Sequence, residues 1–312
     1  MPISRFLDPK NDYVFWKVFG TEKNKDVLIA FLNHVLCLED KDQIIDVTFL
    51  DPRQSPEVAA YRQSIVDVLC KDQNGVQIIV EMQVSRHAGF EKRAQYYAAK
   101  AYSRQIIKED ENHKKMAVYA KLKAVIFLAI ADFMMFPEKE AWMSEHYLLD
   151  NKTYEHDLKD FHFIFLELPK FKKTLDDLSS IQDKWMYFFK HAEESTLEEI
   201  EKLVGKDVII KRAFYAIDQA SWTPEELTTY EQREKNLLDN QAVEDYKLFE
   251  AKEKGKKEGR DEGIEIGEAR GEAKLREEKL KIAQEMLKSS IDINLISQIT
   301  NLSLDQIKEL AK

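Results

Sequence analysis

Two short apolar runs, Ser64–Cys70 and Val76–Val84, are joined by Lys71-Asp72-Gln73-Asn74-Gly75. Asn-Gly between apolar runs is the strongest short-range hairpin signal, because both residues tolerate the positive φ of a tight turn. The segment is therefore expected to be an antiparallel β-hairpin. Its first run, Ile65-Val66-Asp67-Val68-Leu69, embeds an acid among apolar residues. Its second, Ile79-Val80-Glu81-Met82-Gln83-Val84, carries an acid and an amide two apart, which strand alternation places on one face. With Asn74 near the centre of the turn, Asp67 lies opposite Glu81. A one-residue change of turn type would shift that pairing.

The chain around the hairpin alternates between helix and strand patterns. Asn11–Leu38 reads as helices, with Val27, Leu28, Phe31, Leu32, Val35 and Leu36 at helical spacing. Ile44–Leu50 is a short β-branched run closed by Asp51-Pro52. His87 to about Glu111 returns to helix. Val125–Ile130 is a continuous apolar run suited to a strand buried on both faces. Phe161–Leu168 is another strand, ended by Pro169. From about Ile181 to Ala220 helices return, with Trp185, Phe188 and Phe189 on a core face. The expected architecture is α/β: a mixed central sheet flanked by helices, plus an α-helical C-terminal extension.

Composition changes after Leu248. Glycines at 255, 259, 263, 267 and 271 recur every fourth residue among Lys, Glu and Arg. Each costs a helix about 1 kcal/mol, so the segment reads as a marginal charged helix or a linker. Lys281–Ala311 reads as two or three short amphipathic helices around Ile282-Met286-Leu287, Ile293–Ile299 and Leu304–Leu310. Asn301 and Ser303 are available to cap the last, and the whole is like a helix-turn-helix module. The expected divisions are 1–248, 249–280 and 281–312. The tail is expected to serve self-association into a homo-oligomer or regulation, since a glycine ridge permits close helix approach; a solvated charged linker is the competing reading.

Two cysteines, Cys37 and Cys70, are too few for a disulfide scaffold or a Cys-rich zinc site, so a reducing compartment and a cytoplasmic location are expected. Residues 1–19 mix charges with aromatics and do not read as a secretory leader. The longest apolar stretch, Ala124–Ala131, is too short to span a bilayer, so no membrane association is expected. The net charge of −10 argues mildly against a protein that coats nucleic acid. Between Ser85 and Val125, however, ten Lys/Arg stand against four Asp/Glu, and a phosphate-facing surface would draw on that stretch.

Two carboxylates held side by side repel unless a cation lies between them. A divalent ion with hard oxygen ligands is the usual answer, and Mg²⁺ needs only one or two protein carboxylates beside water and substrate phosphate. Gln83 could orient the nucleophilic water or the phosphate, but it has no ionisable proton and is a poor general base. The bland alternative is a hairpin with one wet face, which shows the same alternation. No HExxH, GxxxxGK[ST] or GxSxG is present, and the histidines form no ligand spacing, so metalloprotease, nucleotide-binding and Ser/His hydrolase readings lack support.

Several segments together resemble one known family. FLDPKNDYVFWKVFG with KNKDVLIAFLNHVL, the hairpin pair VDVLC and VEMQV, the helix FEKRAQYYAAKAYSRQI and the later FLELPKF resemble the Rpn recombination-promoting nucleases or transposases, of the PD-(D/E)xK superfamily. The likeness covers roughly residues 5 to 225. It implies a restriction-endonuclease-like core and a metal-dependent DNA endonuclease linked to recombination, mobile elements or defence against foreign DNA. It implies that Asp67, Glu81 and Gln83 form the catalytic centre, with Asp67 and Glu81 ligating Mg²⁺ or Mn²⁺. Gln83 stands where many superfamily members carry lysine, which leaves the general base unassigned. Asp12 and Lys17 are candidates to approach the site from the first helix, with structural capping an equal reading. Arg93, Arg104, Tyr97 and Gln105 are candidates for DNA contact, against the readings of solvated arginines and packed tyrosines. The alternative from another class is a slow or silent DNA-binding or regulatory protein that keeps the nuclease fold. The negative net charge and the neutral Gln83 motivate it.

Overall fold

The computed structural model describes residues 4–54, 64–107 and 119–310 of the chain. It separates into two compact units, Met1–Asn236 and Leu237–Lys312.

The first unit is built on a six-stranded mixed sheet. Its strands are β1 (Val47–Phe49), β4 (Val68–Asp72), β5 (Gln77–Gln83), β6 (Val125–Ala131), β7 (Met143–Tyr147) and β8 (Phe161–Glu167), in the order β1-β4-β5-β6-β8-β7. Two short strands, β2 (Arg53–Gln54) and β3 (Ser64–Ile65), pair separately. β1, β4 and β5 run antiparallel to one another, whereas β5, β6 and β8 are parallel. Gln83, Ala131 and Glu167 therefore align in one row at the C-terminal edge of the parallel strands.

The hairpin forms as the turn chemistry demands. Asp72 Oδ1 accepts from the Asn74 and Val76 amides at 2.9 and 2.8 Å, which organises the loop. Gly75 has φ +84, a conformation that an L side chain rarely adopts, so glycine closes the turn at little strain. Val68 pairs with Val80 and Leu69 with Ile79. This is the register expected with Asn74 at the centre.

Strand alternation divides the core in two. On one face Val68, Cys70, Ile78, Val80, Met82, Leu128, Ile130, Ile164 and Leu166 pack against α1 (Asp12–Phe19), α2 (Lys25–Val35), α4 (Ile181–His191), α5 (Leu197–Val204) and α6 (Val208–Ile217). Phe15, Phe19, Phe31, Trp185 and Phe189 interlock there with ring centroids 4.9–6.3 Å apart, within the favourable range for aromatic pairs. On the other face Leu69, Ile79, Phe127, Ala129 and Phe165 meet α3 (Phe90–Ile107). The stripe Phe90, Ala94, Ala98 and Ala101 is buried, and its small residues let α3 sit close to the sheet. Odd-numbered residues of β5 thus face α3, and Glu81 and Gln83 belong to that set. Strand β7 carries no clear alternation in WMSEHY and was not anticipated.

α4 opens on a capping box. Ser180 accepts from the Asp183 amide, and the Asp183 carboxylate accepts from the amides of Ser179 and Ser180 at 2.9 and 3.0 Å. Lys173 Nζ adds an ion pair at 2.7 Å. Burial alone would raise the Asp183 carboxyl, but the Lys173 ammonium and the Ser179 and Ser180 donors outweigh it and hold it at about 2. A depressed carboxyl stabilises the fold above its unfolded value and loses that contribution as pH falls toward 2. Asp183→Ala is therefore expected to lower stability at neutral pH by about 2–3 kcal/mol. Urea melts from pH 7 to pH 2 should show a shallower acid decline in the variant than in the wild type; parallel curves would refute this.

α7 spans Pro224–Lys288 as one continuous helix, through both positions where sequence composition changes. Within the second unit every residue from 238 to 278 is exposed, and a Cβ added at any glycine of the repeat would meet nothing within 4 Å. The unit closes with α8 (Ile293–Thr300) and α9 (Leu304–Leu310), which bury Ile296, Leu302 and Ile307 with Ala283 of α7. Ser303 caps α9, its hydroxyl accepting from the Gln306 amide. Asn301 does not share that role: at φ 60 it is the left-handed C-cap of α8.

Candidate active site

The hairpin assembles the acid pair. β4 begins at Val68, so Asp67 stands in the bend just before it, and the register carries it opposite Glu81. Asp67 Oδ2 accepts the Met82 amide at 2.7 Å. The register sets the two carboxyl groups across from each other on the hairpin, and each acts on the other's ionisation. Glu81 is 5% exposed, so water does little to screen the repulsion between the two acids. Burial, then the facing Asp67, pushes the Glu81 carboxyl well above the ordinary carboxylate range. Burial also raises Asp67, against the stabilising Met82 donor.

Arg93 brings positive charge to this pair. It lies in the first turns of α3, and its charge favours the ionised form of both carboxyls. Its Nη2 donates to Gln83 Oε1, while Gln83 Nε2 donates to the Ser85 carbonyl at 3.0 Å. Both ends of the Gln83 amide are thus engaged. The guanidinium carbon lies 4.8 Å from the Phe90 ring centre and 5.9 Å from that of Tyr97. Arg93 Nε is buried without a hydrogen-bond partner, a state that costs a donor about 1–3 kcal/mol.

The other residues singled out by the sequence divide clearly. Asp12 is close enough to raise the Asp67 carboxyl, yet its exposed side chain pairs with Arg233 at 3.2 Å. Lys17 is held elsewhere, 2.6 Å from Glu226 and 3.6 Å from the centre of the Trp222 ring. The N-cap of α1 is neither of these but Asn11, which accepts from the Tyr13 amide at 3.0 Å. Tyr97 lies beside Arg93, with its hydroxyl raised by burial. Gln105 is occupied in bonding the main chain of Lys123 in both directions, at 2.8 and 2.9 Å, which anchors the approach to β6. Arg104 is half-buried on the same helix.

Sequence reasoning missed the supports at the sheet edge. The Asp132 amide donates to the Gln83 carbonyl at 2.9 Å, and its carboxylate pairs with Lys10 at 3.0 Å. Glu167, fully buried, accepts the Met135 and Phe136 amides at 2.7 and 3.2 Å and pairs with Lys170 at 2.8 Å. Lys10 and Glu167 fall inside segments already singled out (FLDPKND and FLELPKF), but nothing local marked them as partners of distant residues. A separate cleft of about 720 Å³ beside α4 and α5 contains none of the predicted site residues, and its Lys202 and Lys173 are paired with Asp176 and Asp183.

The donor set suits one class of metal. Among the described residues no group of three His, Cys, Asp or Glu could hold an ion, which does not fit an all-protein zinc cage. Two carboxylates facing each other across the hairpin do fit a hard divalent cation that takes its remaining ligands from water and substrate. Asp67 and Glu81 are the residues that would hold it.

Comparison with known proteins agrees with this reading of the fold. Residues 9–247 match the PD-(D/E)XK nuclease family transposase model, and residues 276–312 match the C-terminal HTH domain of the Rpn/YhgA-like nuclease family. Neither the curated proteins nor the solved structures contain a match. A mixed sheet with its acid pair on the hairpin, and a family match over most of its length, place this chain in the PD-(D/E)XK nuclease family of transposases, with an Rpn/YhgA-like HTH domain at its C-terminal end.

Proposed function

We propose that this chain is an endonuclease that hydrolyses DNA phosphodiester bonds at the Asp67–Glu81 pair with Mg²⁺ or Mn²⁺. The observation that carries the proposal is the placement of Asp67 opposite the buried Glu81 on the hairpin, two acids whose mutual repulsion a divalent cation relieves. A bound divalent ion stabilises charge on the phosphate and acidifies its water. Asp67 and Glu81 would hold the ion, and the Met82 amide orients the Asp67 carboxylate. Gln83 acts as a positioning group, since both ends of its amide are engaged. The HTH domain supports DNA as the partner. Among the described residues no helix is long and apolar enough to cross a membrane.

Supercoiled plasmid incubated with the purified chain should be nicked or linearised with Mg²⁺ or Mn²⁺ and remain intact with EDTA. No cutting under either metal would sink the nuclease reading and favour a DNA-binding protein that keeps the fold.

The tail is assigned to self-association. Past residue 250, the exposed stretch of α7 carries Ile264, Ile266 and Leu275, all more than half exposed. Sedimentation of the full chain should give a mass above one chain and fall to one chain on truncation at Leu248; equal association states would exclude this role.

A further inference from the structure

We propose that Arg93 is the side chain that grips the substrate phosphate at this centre, delivered from α3 and held in place by Gln83. The inference rests on the nuclease reading above and adds to it a cation that β5 does not supply beside Glu81: position 83 is a neutral amide. The geometry is that of a preset phosphate ligand. Arg93 Nη2 is fixed on Gln83 Oε1, and the guanidinium is steadied by the rings of Phe90 and Tyr97. Gln83 lies two residues from Glu81 on the same strand face, so the guanidinium it holds stands beside the acid pair. Its Nε–H is buried and unsatisfied. A phosphate oxygen is the natural acceptor, since guanidinium N–H groups match phosphate in a planar, charge-assisted geometry. Lys10 and Lys17, the cations of the N-terminal segment, are committed elsewhere, to Asp132 and to Glu226.

The test combines cleavage with two readouts that need no turnover. Arg93→Ala is expected to slow single-turnover cleavage by about 10²–10³-fold, the loss seen when one preorganised donor is removed. It should weaken binding of a short fluorescein-labelled duplex in Ca²⁺ by about tenfold, the lower end for a charged hydrogen bond. Mn²⁺ affinity, measured by titration calorimetry, should be unchanged or tighter, because a cation is removed from beside the carboxylates. Placing the charge back on the strand, as Arg93→Ala with Gln83→Lys, should recover at least tenfold of the duplex affinity. Unchanged duplex affinity in Arg93→Ala would overturn the proposal. So would loss of Mn²⁺ affinity together with thermal stability, which would make Arg93 a brace for the acid pair. If the wild type does not cut, the nuclease reading fails, and duplex binding in Ca²⁺ still decides the role of Arg93.

Discussion

Asp67→Ala is expected to abolish metal-dependent DNA cleavage while leaving the fold intact. Asp67 sits in a bend before β4, outside the sheet ladder, and its side chain makes one hydrogen bond to main chain, from Met82. Losing that acceptor weakens the fold by about 1 kcal/mol, but removing Asp67 also removes the repulsion against Glu81. The two effects oppose, so the melting temperature should change little. Activity has no such compensation. With one carboxylate left, the ion is poorly held and the charge developing on phosphate loses its stabiliser. We expect a fall of roughly three orders of magnitude, or about 4 kcal/mol at 1.36 kcal/mol per decade. Glu81→Gln should be equally inactive, yet more stable than the wild type without metal, because a neutral amide replaces a buried acid facing another acid. Plasmid cleavage and thermal melts with and without Mn²⁺ check both statements. A variant that cuts at wild-type rate would move the centre off this hairpin.

Glu167→Ala should be the most damaging single change to stability. Glu167 ends β8, and its carboxylate binds Lys170 and two main-chain amides of the segment after β6. Lys170 also donates to the Phe136 carbonyl at 2.7 Å, and both side chains of the pair are almost fully buried. Removing the acid leaves a buried ammonium without its counter-charge and two part-buried amides without an acceptor, which costs about 3–5 kcal/mol. Removing both partners should cost less than this, because the uncompensated charge disappears with its mate. The double variant Glu167→Leu with Lys170→Met is therefore expected to be more stable than Glu167→Ala. Urea unfolding of the single and double variants measures the difference; a single variant within 1 kcal/mol of wild type would show that the pair is not structural.

Local patterning was sufficient wherever one face of an element had to be apolar. The Asn74-Gly75 turn set the hairpin register, and from it the opposition of Asp67 and Glu81 followed. The helical spacing of Val27, Leu28, Phe31 and Leu32 likewise marked the buried face of α2. Strand β7 escaped because MSEHY is an edge strand with little apolar alternation. The continuity of α7 through its five glycines escaped for a related reason: a charged helix without a buried face leaves no hydrophobic period to read.

Partners far apart in sequence were beyond such reasoning. That Gln83 holds Arg93, that Lys10 reaches Asp132 across 122 residues, and that Lys17 belongs to Glu226 rather than to the acid pair depend on how sheet and helices close together. The sequence by itself determined the acids, their strand positions and their common face, because turn chemistry and two-residue periodicity are local. Only the tertiary structure decided which cation meets them, because that depends on the small-residue stripe of α3 docking over the odd face of β5.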